Sequence, residues 1–269
     1  MAPYIAHLVV AERAYARLWD RDERLGEFLY GSIAPDVSAE PNALARQDTH
    51  FVGSYREDGE AIFSRSTATF LARYEAFTVR PPRAWSDAER AFLEGYLCHL
   101  AADEVWRSLL ISFWKAHCEH WAEMGEEMLL PLLQAATTEF DRRAVRQLAN
   151  PGRVLEALRN SARIDLLNFL DPERCEDLKR RVCDYLAAGA GLEAFLKLAR
   201  GAGECEAWLR RRRRQFLEHR DQMEQLLEEL PLDSFFPLAV QRSVEMIKRF
   251  RRREAWRQGD REDSQIRDS

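Results

Sequence analysis

The sequence predicts an all-α protein, and three observations carry that expectation. Apolar residues recur at three- and four-residue spacing through most of the chain. Alternating β-branched runs, which strands require, are few. Turn formers are sparse, with 12 glycines and 10 prolines in 269 residues. With 46% hydrophobic residues, a chain of this length buries a substantial core. The expected architecture is a single multi-helix domain of nine or ten helices over residues 1–257, made of a first half near 1–125 and a second near 126–257. Residues 258–269 form a charged tail with too few apolar anchors to order.

A first helix is expected over 3–19, where Ile5, Leu8, Val9, Ala16 and Trp19 line one face and Glu12 interrupts it. A second, over 21–30, is stopped by Gly31. Segment 32–51 carries Pro35, Pro41 and Asn42 and reads as a polar, irregular loop, the kind of segment that presents ligands. The next helix, 58–77, buries Phe63, Phe70, Leu71 and Tyr74, and Pro81-Pro82 closes it. Ser86-Asp87-Ala88-Glu89 is a capping box, in which the serine hydroxyl and the glutamate carboxylate each satisfy a backbone donor at a helix start. That helix is expected to run past Trp114. Periodic stretches at 118–136 (kinked at Pro131), 138–149, 153–170, 171–188, 192–200, 205–230 and 232–257 complete the set. Asn150-Pro151-Gly152, Gly189-Ala190-Gly191 and Gly201-Ala202-Gly203 punctuate it.

A net charge of −5 provides no global attraction to nucleic acid or to an anionic membrane. The one basic cluster is Arg210, Arg211, Arg212, Arg213 and Arg214, which would suit phosphate-rich partners or anionic headgroups. Neighbouring glutamates offset it, and a solvated helix face is the favoured reading. Five cysteines without a CxxC pair do not describe a disulfide framework. No basic-then-apolar leader opens the chain, and no apolar window is long enough to span a bilayer, so a soluble, cytoplasmic protein is expected.

His99 and Asp103 stand four residues apart in the capped helix, which puts an imidazole and a carboxylate on one face. Nearby apolar residues Leu97, Leu100, Ala101 and Val105 imply burial, and a buried Asp103 needs a partner. Only six histidines occur in the chain, and two others sit in distinctive upstream settings, His7 and His50. With Asp36, these form the series His7, Asp36, His50, His99, Asp103, at separations of 29, 14, 49 and 4 residues. Singly, each has a plain structural reading: a satisfied core histidine, a turn or cap aspartate, a hydrogen-bonded i,i+4 pair. Together they favour a metal, since imidazole and carboxylate suit Zn²⁺, and paired cations can clamp phosphate oxygens and acidify bound water. Cys98, beside His99, points about 100° away on the helix and reads as a buried, inert thiol. His219 reads as a solvated helix position.

The series resembles the zinc-dependent phospholipase C family, itself related to the zinc-dependent single-strand nucleases, over about the first 110 residues. That resemblance implies an all-helical fold whose metal cluster is built from an early-helix histidine, a loop aspartate, a further histidine and a His-x-x-x-Asp helix. It implies that Asp36, His50, His99 and Asp103 surround one zinc and that His7 shares a bridging Asp103 with a second. It also implies hydrolysis of a phosphodiester or phosphomonoester by metal-activated water, with Asp36 as the candidate catalytic base. The substrate would be a small phosphoester, a lipid headgroup or a nucleotide.

Two departures stand beside it. Secreted members complete the early-histidine site with a mature N-terminal tryptophan, whereas this chain begins Met1-Ala2-Pro3, so the nearest counterpart is the amine that Ala2 would supply if Met1 is removed. The family's third zinc takes two more histidines and a glutamate. Here His117, His120 and Glu123 do not reproduce that spacing, and a third site is expected to be absent. The competing expectation is a noncatalytic helical protein that keeps a structural metal site and uses its C-terminal half as an interaction surface.

Overall fold

The computed structural model describes residues 3–20, 22–39, 46–51, 66–122, 126–230 and 232–267. Among them are α1 (Tyr4–Leu18), α2 (Leu25–Gly31), α3 (Arg46–His50), α4 (Ser66–Phe77), α5 (Asp87–Ala122), α6 (Glu126–Ala144), α7 (Pro151–Asn160), α8 (Pro172–Ala187), α9 (Leu192–Gly201), α10 (Glu206–Glu218), α11 (Arg220–Glu229) and α12 (Leu232–Arg267). The described residues contain no strand, only an isolated bridge between Thr78 and Leu167, so the all-α expectation holds. None of these helices is long and apolar enough to cross a membrane.

The organising element is α5, 36 residues long, which at about 1.5 Å per residue is roughly 54 Å of continuous helix. It begins at the predicted capping box: Ser86 Oγ accepts from Glu89 N at 3.3 Å, and Glu89 Oε2 accepts from Ser86 N at 2.8 Å. Helices α1, α2, α4 and α12 pack along it. The crossing with α2 is close, because each helix offers a glycine to the other's backbone. A Cβ on Gly31 would lie 1.9 Å from the Phe92 carbonyl oxygen, and one on Gly95 would lie 1.9 Å from that of Phe28. This crossing fixes the height of α5 one turn before His99.

Buried carboxylates tie distant segments together by accepting from backbone donors at or just ahead of helix starts. Pro3 gives α1 no side-chain cap, and Asp141 of α6 takes that role, its Oδ1 accepting from Ile5 N at 2.7 Å and Ala6 N at 3.1 Å. Glu12, which the periodicity marks as an interruption of an apolar face, is itself buried and accepts from Ala149 N at 2.9 Å, just ahead of α7. Glu104 receives Thr67 N at the start of α4 and Arg242 from α12. Truncating such an acceptor strands buried donors, at a cost of about 1–3 kcal/mol. Asp141→Ala is therefore expected to lower stability by about that amount; an unchanged midpoint in thermal unfolding would contradict the capping role.

Several boundaries differ from expectation, each for a local reason. The helix predicted over 153–170 ends at Asn160, where Ser161 leaves the helical region and its carbonyl accepts from the buried Lys179; Val79 N then donates to Leu166 O. The helix predicted over 205–230 breaks at His219, so that residue joins α10 to α11 instead of lying within one helix. Stretches 118–136 and 138–149 do not divide where expected, since α6 runs unbroken to Ala144. Five residues of the predicted irregular loop form α3. The last helix extends through Arg267, ten residues past its expected end. Ala16, assigned to the inner face of the first helix, is exposed. Phe63 and the start of the helix predicted from 58 lie outside the described residues, as do Met1, Ala2 and Glu123.

In the basic cluster, Arg213 pairs with Glu193 and the Arg212 guanidinium lies 5.0 Å from the centroid of the Trp208 ring.

Candidate metal centre

Four separated segments meet beside the α2–α5 crossing. His7 comes from the second turn of α1, Asp36 from the 3-10 turn Ala34–Ala39, His50 from the end of α3, and His99 and Asp103 from α5. All five side chains lie in the core, at 1% exposure or less. Their donor atoms form two overlapping sets, His7 with His99 and Asp103, and Asp36 with His50 and His99, each within 4.8 Å. His50 Nε2 is 3.3 Å from Asp36 Oδ1 and 3.7 Å from Asp103 Oδ2, and His7 Nε2 is 3.6 Å from Asp103 Oδ1.

Local structure explains how each ligand type is aimed. Gly31 ends α2 against α5, and the next carbonyl, that of Ser32, accepts from His99 Nδ1 at 2.8 Å. A carbonyl only accepts, so Nδ1 carries the proton and Nε2 of the neutral ring presents its lone pair. His50 is seated by α3. The Tyr96 hydroxyl donates to the Thr49 carbonyl, while Thr49 Oγ1 meets His50 Nδ1 at 2.8 Å. Directly after it, Phe51 takes φ +52°, a left-handed turn that swings its ring among Phe70, Phe77 and Phe169. That aromatic contact holds the backbone in a conformation a bulky residue rarely adopts.

The electrostatics suit a cation. Burial holds His99 and His50 below the usual imidazole range, so both are neutral at pH 7. For Asp36, burial opposes ionisation, but the facing imidazoles of His99 and His50 outweigh it and hold the carboxyl well below its usual range. Asp103 is likewise held down against burial by the His7 ring and the guanidinium groups of Arg107 and Arg46. Both oxygens of Asp36 and both ring nitrogens of His7 are buried without a hydrogen bond. An ionised carboxylate in that state is costly unless a cation shares the space.

The spacing passes the same test. His50 Nε2 and His99 Nε2 face each other at 3.1 Å, close to the roughly 3.3 Å separating two nitrogens that are tetrahedral ligands of one zinc at about 2.0–2.1 Å. Without a metal, a proton on His50 Nε2 would fill that gap, and the Thr49 hydroxyl can serve either tautomer because it both donates and accepts. The donor set therefore fits Zn²⁺. His7 stacks on His99, ring centroids 3.8 Å apart, which leaves its ring edge facing Asp103.

Sequence reasoning missed two residues here. Arg46 Nη2 donates to Asp103 Oδ2 at 2.6 Å, and Arg107 Nη2 donates to the same oxygen at 2.9 Å. Arg107 was legible, since it continues the i,i+4 ladder from His99 through Asp103. Arg46 was not, because its pairing crosses 57 positions of sequence. Cys98 is buried and takes no part, and burial pushes its thiol up to about 12. Because α5 is unbroken through Ala122, His117 stands 14 residues, or about 21 Å, beyond Asp103 along the helix axis. Neither it nor His120, one turn further on, can share the site of Asp103.

Comparison with known proteins agrees with this geometry. Residues 6–125 match the family model described as zinc dependent phospholipase C, a span that contains all five residues and ends where α6 begins. Searches of curated proteins and of solved structures returned no match.

Proposed function

We propose that this chain, whose N-terminal segment matches the zinc dependent phospholipase C family, is a zinc-dependent phosphoric ester hydrolase. The observation that carries the reading is the convergence of His7, Asp36, His50, His99 and Asp103, with both Asp36 oxygens and both His7 ring nitrogens buried without a hydrogen bond. Asp36, His50 and His99, with Asp103, would hold one ion, and His7 with Asp103 would hold a second. Bound there, zinc would polarise a phosphoryl oxygen and bring the pKa of water toward neutrality.

The chain's own residues supply the remainder. Ser32 and Thr49 lock the imidazoles so that no ring has to reorient during turnover. Asp36, ionised and buried, has an oxygen available to accept a proton from an attacking water. The aromatic wall of Phe51, Phe70 and Tyr96 beside His50 keeps bulk water from the protein side of the centre.

A second reading is favoured by one observation: Asp103 Oδ2 already accepts from two guanidinium groups, as it would in a site that serves stability alone. Hydrolysis separates the two. Protein prepared with zinc is expected to hydrolyse p-nitrophenyl phosphate or bis(p-nitrophenyl) phosphate, to lose that activity on chelation and to regain it with zinc. Asp36→Asn is expected to lower kcat by about 100-fold or more, in keeping with general-base loss. Zinc-replete protein inactive on both esters would leave the structural reading standing.

A further inference from the structure

Helix α10 turns a row of arginines outward. It carries five arginines and two glutamates. Its other side packs on α6 and α9, where Leu209 meets Leu196 and Ala199 and the Trp208 ring meets Phe195. Two of the arginines are used within the fold: Arg212 lies over the Trp208 ring, and Arg213 pairs with Glu193. Arg210, Arg211 and Arg214 are exposed, and no carboxylate pairs with them among the described residues. Of the helix's own acids, Glu206 is held by Arg200 and Glu218 occupies the last position.

At about 100° per residue, Arg210, Arg214 and Leu217 fall within an arc of about 60° on the outward side of the helix. Leu217 is 62% exposed, more than any other large apolar side chain among the described residues. An anionic lipid surface meets both features at once. Its headgroup phosphates accept from the guanidinium forks, and the leucine beside them reaches the boundary of the acyl chains. Nucleic acid would use the same charge, but single strands gain from stacking on open aromatic rings. The ring this helix could offer, Trp208, is covered by Arg212 and Phe195 instead. With a net charge of −5, the chain as a whole is not drawn to such a surface, so the attraction belongs to this face.

We infer that the outer face of α10 docks the protein on anionic membrane surfaces, with Arg210, Arg211 and Arg214 contacting lipid phosphates and Leu217 entering the boundary between headgroups and acyl chains. The inference stands on α10 alone and is independent of the metal-centre reading.

The test is co-sedimentation of the full chain with vesicles of phosphatidylcholine alone and of phosphatidylcholine and phosphatidylglycerol in equal parts. Wild type is expected to bind the anionic vesicles, to bind phosphatidylcholine far more weakly, and to detach as salt rises. Arg210→Gln and Arg214→Gln are each expected to weaken binding about 5-fold, and the double variant about 25-fold. Arg83→Gln removes the same charge from an exposed site on the 3-10 turn Pro82–Ala84 and is expected to change nothing. Leu217→Asn keeps every charge and is expected to weaken binding about 10-fold. Oligouridine RNA is the competing probe. Wild type that ignores anionic vesicles, an equal loss in Arg83→Gln, or vesicle binding unchanged in Leu217→Asn or in the double variant overturns the inference. RNA bound more tightly than anionic vesicles, through the same arginines and without regard to Leu217, overturns it in favour of nucleic acid.

Discussion

His99→Ala is expected to abolish zinc retention and hydrolysis together while leaving the helical content in place. The residue belongs to both overlapping ligand sets, so its loss breaks each of them at once. Losing an outer partner of a ligand typically costs about 10- to 100-fold in metal affinity, and losing a shared ligand is expected to exceed that. Asp103 belongs to one of the two sets, and Asp103→Ala would also leave Arg46 and Arg107 without the carboxylate they share. Stranding buried charge in this way costs about 3–5 kcal/mol, so a drop in activity there would mix folding with chemistry. Asp103→Asn keeps the shape and is the cleaner companion variant. Zinc content is read by elemental analysis after dialysis, and helical content by far-ultraviolet circular dichroism. Wild-type levels of zinc in His99→Ala would show that the ion is bound elsewhere.

Gly95→Ala is expected to be strongly destabilising, as is Gly31→Ala on the facing helix. The carbon added at Gly95 would lie 1.9 Å from the Phe28 carbonyl oxygen, a backbone atom that no rotamer change can move aside. Relief requires α2 and α5 to separate, and overpacking of this severity costs about 3 kcal/mol or more. For a domain of this size the melting temperature should fall by about 6–12 °C. Zinc affinity should fall too, because Gly95 stands one turn before His99 and the Ser32 carbonyl that orients His99 follows α2 directly. Gly152→Ala makes the contrast: a carbon there meets only Asn150 Oδ1, at 3.5 Å, an ordinary contact, and the change should be neutral or stabilising. Equal melting temperatures for the two variants would contradict the close crossing.

Where local pattern dictates local structure, the sequence was legible. The Ser86–Glu89 cap and the His99–Asp103 face are short-range features, and each stands as expected. His7, Asp36 and His50 could be grouped with them only through the spacing of a whole set of ligand types. What local pattern could not convey is long-range hydrogen bonding. Glu12 looked like a flaw in an apolar stripe because the backbone it serves lies 137 positions away, and Asp141 is as remote from α1. The breaks at Ser161 and His219 are similar cases. Apolar periodicity continues through both, and at Ser161 the helix ends where Lys179, 18 residues on, claims the carbonyl. Arg46 is the functional counterpart: a cation in a stretch that reads as loop, given meaning only when α3 turns it toward α5.

The most direct measurement is X-ray absorption at the zinc edge on wild-type protein loaded with one equivalent of zinc. The account expects a shell of nitrogen and oxygen only, at about 2.0–2.1 Å, with the outer-shell scattering of at least two imidazoles. A sulfur ligand at about 2.3 Å, or a shell of water oxygens without imidazole, would contradict it.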